Sequence, residues 1–146
     1  APQGSVSRWV MDGTGAIPVS SPKEATMFRP IHFEVPADDP DRAQAFYRQA
    51  LGWQFDKWDG PSPYWLVNTG DGDGINGGLF ARDDGFPVPC FVVDVPDAEA
   101  AARKIAGAGG TIAMPKTAIP GMGWSVYAKD TEGNIFGMIQ FDPAAS

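Results

Sequence analysis

The stretch HFEVPADDPDRAQAFYRQALGW, residues 32–53, holds a strand, a helix cap, a helix and its stop in one unbroken run. From Pro30 to Val35 the residues alternate, with Ile31, Phe33 and Val35 on one face and His32 and Glu34 on the other. Pro36 and the pair Asp38–Asp39 close this strand. Asp39 has the short acceptor side chain of an N-cap, and Pro40 stands at the first helical position, where a missing N–H costs nothing. Ala43, Phe46, Tyr47 and Ala50 then recur at three- and four-residue spacing, which predicts a helix to about Leu51 packed through that face. Gly52 is its C-terminal stop.

Working outward, the same pattern returns 58 positions later. Phe33 and Val35 recur as Phe91 and Val93, Asp39 as Asp97, Ala43 as Ala101, Ala50 as Ala108 and Gly52 as Gly110. Tyr47 is matched by Ile105, so an apolar position stays apolar. Residues 53–58, 64–68 and 75–81 read as three strands behind the first helix, separated by turns rich in Gly, Pro and Asp. In the second copy, Cys90–Val95 is a strand and Asp97 opens an Ala-rich helix that stops before Gly109–Gly110. Thr111–Met114, Trp124–Lys129 and Ile135–Phe141 complete it, and Asp130–Asn134 forms a hairpin-like turn. In the last strands Ile75–Gly77 aligns with Ile135–Gly137. The order is βαβββ twice, an α+β class. Neither copy can bury a core alone, and two together close one with a pocket at the seam. Phe33 and Phe91 are expected to be buried at equivalent places.

Composition narrows the function classes. A chain of 146 residues with 43% hydrophobic and 20% charged residues is one globular domain. A net charge of -7 and a pI near 4.5 argue against nucleic acid and against anionic membrane surfaces. No apolar run approaches the roughly 20 residues of a membrane span. The single cysteine, Cys90, excludes an internal disulfide and fits a reducing, cytoplasmic compartment. Residues 1–28 lack sustained periodicity and the features of a signal peptide. They read either as a leader, vector-derived or translated from upstream of Met27, or as a native arm that docks through Trp9, Val10 and Met11.

The run from His32 to Trp53, with its Ala45-Phe46-Tyr47…Leu51-Gly52-Trp53 helix end, and the later KDTEGNIFGM of residues 129–138 resemble the vicinal-oxygen-chelate superfamily. That superfamily takes in glyoxalases, bleomycin-resistance proteins, extradiol dioxygenases and fosfomycin-resistance enzymes. The resemblance spans residues 29–142, with units of about 29–81 and 88–141. It implies two βαβββ units curled into a cupped half-barrel sheet, helices outside, the face of His32 and Glu34 turned toward the cavity. Metal-using members place ligands on the first and fourth strand of each unit. Those positions map here to His32, Cys90, Gly77 and Gly137, which do not make the usual set. A His32–Glu34–Cys90 set is the alternative for a divalent ion, which asks for about three N, O or S ligands.

The remaining residues carry paired readings. Glu34 is either solvent-facing or a pocket acid with a perturbed pKa. Cys90 is a small core residue unless a positive charge lies near it. Asp130 and Asn134 are turn-formers, and the segment 120–124 is either a flap or an ordinary loop. The preferred reading is a metal-independent, glyoxalase/bleomycin-resistance-like protein, without cofactor, that binds a small and partly aromatic organic molecule. His32, Glu34, Trp65, Met122, Trp124 and Met138 would line its pocket, and no catalytic residue is assigned. The alternatives are a metal-dependent lyase, isomerase or dioxygenase using His32, Glu34 and Cys90, and a purely structural module. A homodimer is expected from exposed strand edges.

Overall fold

The computed structural model describes residues 10–11, 16–17 and 27–146. Two short strands, β1 (Val10–Met11) and β2 (Ala16–Ile17), pair antiparallel. The alternative of a native arm docking through the side chains of Trp9, Val10 and Met11, and the origin of the leader, lie outside what the described residues cover.

The first unit runs β3 (Pro30–Ala37), α1 (Pro40–Leu51), β4 (Gln54–Lys57), β5 (Tyr64–Asn68) and β6 (Asn76–Ala81). The second runs β7 (Cys90–Asp94), α2 (Ala98–Gly107), β8 (Thr111–Ile119), β9 (Gly123–Lys129) and β10 (Ile135–Phe141). Capping explains the helix bounds. Asp39 accepts from Arg42 N and Asp97 from Glu99 N and Ala100 N, each satisfying N–H groups that a helix start leaves bare. Gly52 closes α1 in the left-handed region at φ 75°, a conformation that favours glycine. Strand β8 continues past Met114, where the sequence reading ended it. Pro115 removes a ladder donor, but β8 is an edge strand with register shifts around Met114, and there a proline is tolerated.

All eight strands form one sheet in the order β4-β5-β6-β3-β7-β10-β9-β8. Within each unit the first strand pairs parallel with the last, β3 with β6 and β7 with β10. The units meet where β3 and β7 pair antiparallel, with Phe33 opposite Phe91 and Glu34 opposite Cys90. Phe33 and Phe91 are also equivalents in the sequence repeat. An antiparallel pair in which a residue faces its own counterpart puts the pseudo-twofold axis between them.

One face of the sheet carries both helices. Under α2 lie Val93, Val95, Val126, Ala128 and Met138 with Ala98 and Ala101, and under α1 lie Ala37, Val67 and Leu79 with Tyr47, Trp53 and Trp65 packed around them. Two packing expectations are corrected. Phe46 is 61% exposed, because α1 turns Ala43, Gln44 and Tyr47 inward instead. Phe33 is half-buried against Trp53, and Phe91 is 47% exposed and stacks on Phe136, because the seam between the helices leaves this face partly open. No helix among the described residues is long and apolar enough to cross a membrane.

Candidate functional site

The other face of the sheet encloses a cavity of about 400 Å³. Strand β3 contributes Ile31, His32 and Glu34, β5 contributes Tyr64 and Leu66, and Trp58 stands between β4 and β5. The second unit adds Val92, Ile119, Met122, Ser125, Tyr127, Met138, Ile139 and Phe141. The wall is apolar except for Ser125 and one line of polar groups at the seam.

That line is centred on Glu34, which is 6% exposed. Tyr64 Oη donates to Glu34 Oε2 at 2.8 Å, and Tyr127 Oη donates to Glu34 Oε1 at 2.6 Å. One phenol comes from each unit. His32 Nε2 lies 2.8 Å from Tyr64 Oη. With its proton directed at Glu34, that oxygen accepts from Nε2–H, which selects this tautomer of His32 and leaves Nδ1 as its acceptor. Cys90 Sγ is 4.0 Å from Glu34 Oε1 across the β3–β7 pair.

Burial sets the protonation states around the carboxyl group. It lowers the pKa of His32, against a smaller opposing pull from Glu34, so the imidazole is held neutral. Burial first, and then the Glu34 charge, push both phenols up, so they remain donors. The same two causes push the Cys90 thiol up to about 12, the opposite of what a reactive thiol needs.

The expected site residues divide. His32, Glu34, Met122 and Met138 line the cavity, Met138 while also belonging to the core under α2. Trp65 and Trp124 do not; both pack on the helix side, Trp65 beneath Lys57 Nζ at 5.7 Å and Trp124 beneath Lys116 Nζ at 4.6 Å. Strand parity is the reason: their neighbours Tyr64, Leu66 and Ser125 take the cavity face. Tyr64 and Tyr127, which are not among the six expected pocket residues, hold Glu34. Their alternation with helix-facing neighbours is a signal that could have found them. The segment 120–124 is a tied-down turn, since Gly121 N bonds to Ala145 O, Met122 N to Ile119 O and Asp142 N to Met122 O.

The fourth-strand position also moves by one residue. Gly78, not Gly77, lies opposite Glu34, while Gly77 lies opposite Phe33 on the helix side. In the second unit Gly137 lies opposite Val92. A Cβ at Gly78 would overlap the Tyr64 hydroxyl, and one at Gly137 would come 2.8 Å from Tyr127 Cε1. At the fourth-strand positions that the resemblance marks for ligands this chain carries no carboxylate, and the phenols fill the space. His32, Glu34 and Cys90 do not fit a divalent ion either. His32 Nε2 is taken up by the Tyr64 hydroxyl and the thiol stays protonated, so fewer than three donors are available to an ion. Among the described residues no group of three or more His, Cys, Asp or Glu is placed to hold a metal.

A family model described as bleomycin resistance protein-like N-terminal matches residues 29–70. Three solved structures show how far the likeness extends. A variant methylmalonyl-CoA epimerase from Streptomyces coelicolor in complex with 2-nitronate-propionyl-CoA superposes with a TM-score of 0.60 at 17% identity, covering 81% of this chain and 97% of that one. The methylmalonyl-CoA epimerase of Mycobacterium tuberculosis gives 0.58 at 16%, covering 80% and 88%. A hypothetical protein from Bacillus halodurans C-125 gives 0.61 at 9%, covering 82% and 98%. The fold is shared with these methylmalonyl-CoA epimerases. A comparison with curated proteins finds no significant match.

Proposed function

We propose that this chain binds a small, partly aromatic organic molecule in the cavity between its two units, and that it does so without a metal. One observation carries the reading. A buried carboxyl group, held by one phenol from each unit, sits in an otherwise apolar cavity of about 400 Å³. Binding sites for small molecules are commonly of this size, apolar with a few oriented polar groups. The bleomycin-resistance-like match over residues 29–70 supports a binding role. A metal-dependent lyase, isomerase or dioxygenase would need ligands that Gly78 and Gly137 lack. We also infer a cytoplasmic homodimer that engages neither nucleic acid nor membrane; the acidity and the exposed apolar residues Leu66, Met122 and Phe141 around the cavity support this.

The test is a thermal-shift and calorimetric screen of flat organic molecules against the wild-type protein and Leu66→Trp, which narrows the cavity. Hits that bind the wild type and lose affinity in Leu66→Trp, with the melting temperature of the free protein unchanged, uphold the reading. Hits that bind both proteins equally overturn it. Elemental analysis of protein purified without chelating resin is expected to show far less than one transition ion per chain, and a stoichiometric ion retained after dialysis would favour the metal-dependent alternative.

A further inference from the structure

We propose that the ligand of this cavity is an organic cation, a flat apolar molecule with a protonated amine or quaternary ammonium group that takes Glu34 as its counter-charge. The inference rests on the reading of the cavity as a ligand site and adds the class of ligand.

The charge inventory is the first observation. Among the described residues that line the cavity, Glu34 is the only Asp or Glu, and there is no Lys or Arg. A buried carboxylate without a protein cation is costly, and two phenols and a thiol offset that cost only in part. The carboxyl group has about four acceptor sites, of which the phenols occupy two and the Cys90 thiol approaches a third at 4.0 Å, so room for a charged donor remains. His32 does not supply the missing charge, because burial holds its imidazole neutral.

The aromatic surroundings are the second. Trp58 packs edge-on against Tyr64 at 5.9 Å, Tyr64 stacks with Phe80 at 6.3 Å, Phe80 meets Phe86 at 5.6 Å and Phe86 meets Tyr127 at 4.8 Å. This chain of rings runs from one phenol that holds Glu34 to the other; Trp58, Tyr64 and Tyr127 line the cavity, and Phe80 and Phe86 back the phenols from outside it. Arg82, bound to Asp38 and to the Pro87 carbonyl, anchors the loop that carries Phe86. Aromatic faces beside a carboxylate attract organic cations through the ring quadrupole. The protein's own cations sit over other rings: Arg48 over Phe55, Lys57 over Trp65, Lys104 over Phe28 and Lys116 over Trp124. None of these rings lines the cavity. An anionic ligand would find no cation there to meet it.

The experiment is isothermal titration calorimetry with three probes of matched shape: 1-naphthylmethylamine, 1-naphthylmethanol and 1-naphthoate. The amine is expected to bind about ten- to thirtyfold more tightly than the alcohol, with the carboxylate weakest. In Glu34→Gln the amine and alcohol should converge, and in Leu66→Trp the amine should lose its affinity. Amine binding that survives Leu66→Trp is attraction to the acidic surface and overturns the proposal. An alcohol that equals the amine, or a carboxylate that exceeds it, overturns the cation and leaves the cavity reading intact. If none of the three binds the wild type, both readings fall. Should Glu34→Gln fail to fold, the wild-type series and Leu66→Trp decide the matter without it.

Discussion

The two units share a chain path and differ in what they place on it. On the cavity side the first unit carries Glu34 and the second, at the repeat-equivalent position, carries Val92; His32 is matched by Cys90. On the helix side the weight is reversed. Three buried residues gather under α1, whose one buried side chain is the polar Gln44, whereas α2 contributes Ala98 and Ala101 to a group of seven. The first unit therefore supplies the acid, the imidazole and one phenol over the thinner core, and the second supplies the other phenol and most of the packing. Duplication conserves the spacing that folds a unit and leaves its cavity face free to diverge.

The largest effect that would break this comparison is at Leu79, the bulkiest fully buried side chain of the first unit. Leu79→Ala is expected to cost about 2–5 kcal/mol in urea denaturation, because it empties the centre of a core with little to collapse into the gap. A loss under about 1 kcal/mol would mean that the first unit leans on the second for its stability. Next come the repeat partners Ala43 and Ala101. Ala101 is 2% exposed and Ala43 half-buried, so Ala101→Leu is expected to destabilise by about 1–3 kcal/mol and Ala43→Leu by less. Equal losses would show the two helices packed alike.

The phenols sharpen the comparison across the seam. Tyr127→Phe and Tyr64→Phe each remove a phenol donor from one buried Glu34 oxygen, an expected loss of about 1–3 kcal/mol. Tyr64→Phe should cost more, because His32 loses its partner as well. Gly78→Ala should reproduce the Tyr64 defect by displacing the hydroxyl. Chemical denaturation of the three variants checks the order, and a Tyr127→Phe loss larger than that of Tyr64→Phe would reverse it.

The smallest effect is a pH slope. The folded imidazole of His32 has its pKa below 6.5, so the unfolded chain binds a proton at a higher pH than the folded one. Stability is then fully present above about pH 6.5 and is lost as pH falls through the folded value. Urea midpoints should decline with acid over that window, and His32→Gln should remove the histidine's share of the decline while leaving that of the carboxylates. Because His32 is the lone histidine, its ring signals give the folded pKa directly by NMR, and titration above 6.5 would contradict the burial seen here.

Much of the fold was legible because its determinants are local. The caps Asp39 and Asp97, the stop at Gly52 and the alternation of Ile31 through Val35 act within a few residues, and the spacing of 58 between copies announces the symmetry. His32 and Glu34 were legible for the same reason. The face of each later strand was harder to read. Trp65 and Trp124 look like pocket walls by composition, yet their parity relative to β6 and β10 depends on turns whose length shifts the register by a residue. Gly77 and Gly78 are confused by the same single step, and in a strand one step reverses the face.

The amino-acid order thus settled the elements, their duplication and the acid–imidazole pair on β3, since each depends on contacts between near neighbours. The convergence of Tyr64 and Tyr127 on Glu34, from positions 30 and 93 residues away, depends on how β5 and β9 lie across the cup from β3. No local pattern encodes that distance. It arises when antiparallel pairing at Phe33 and Phe91 joins the units and glycine at 78 and 137 leaves space for two phenols to reach one carboxyl group.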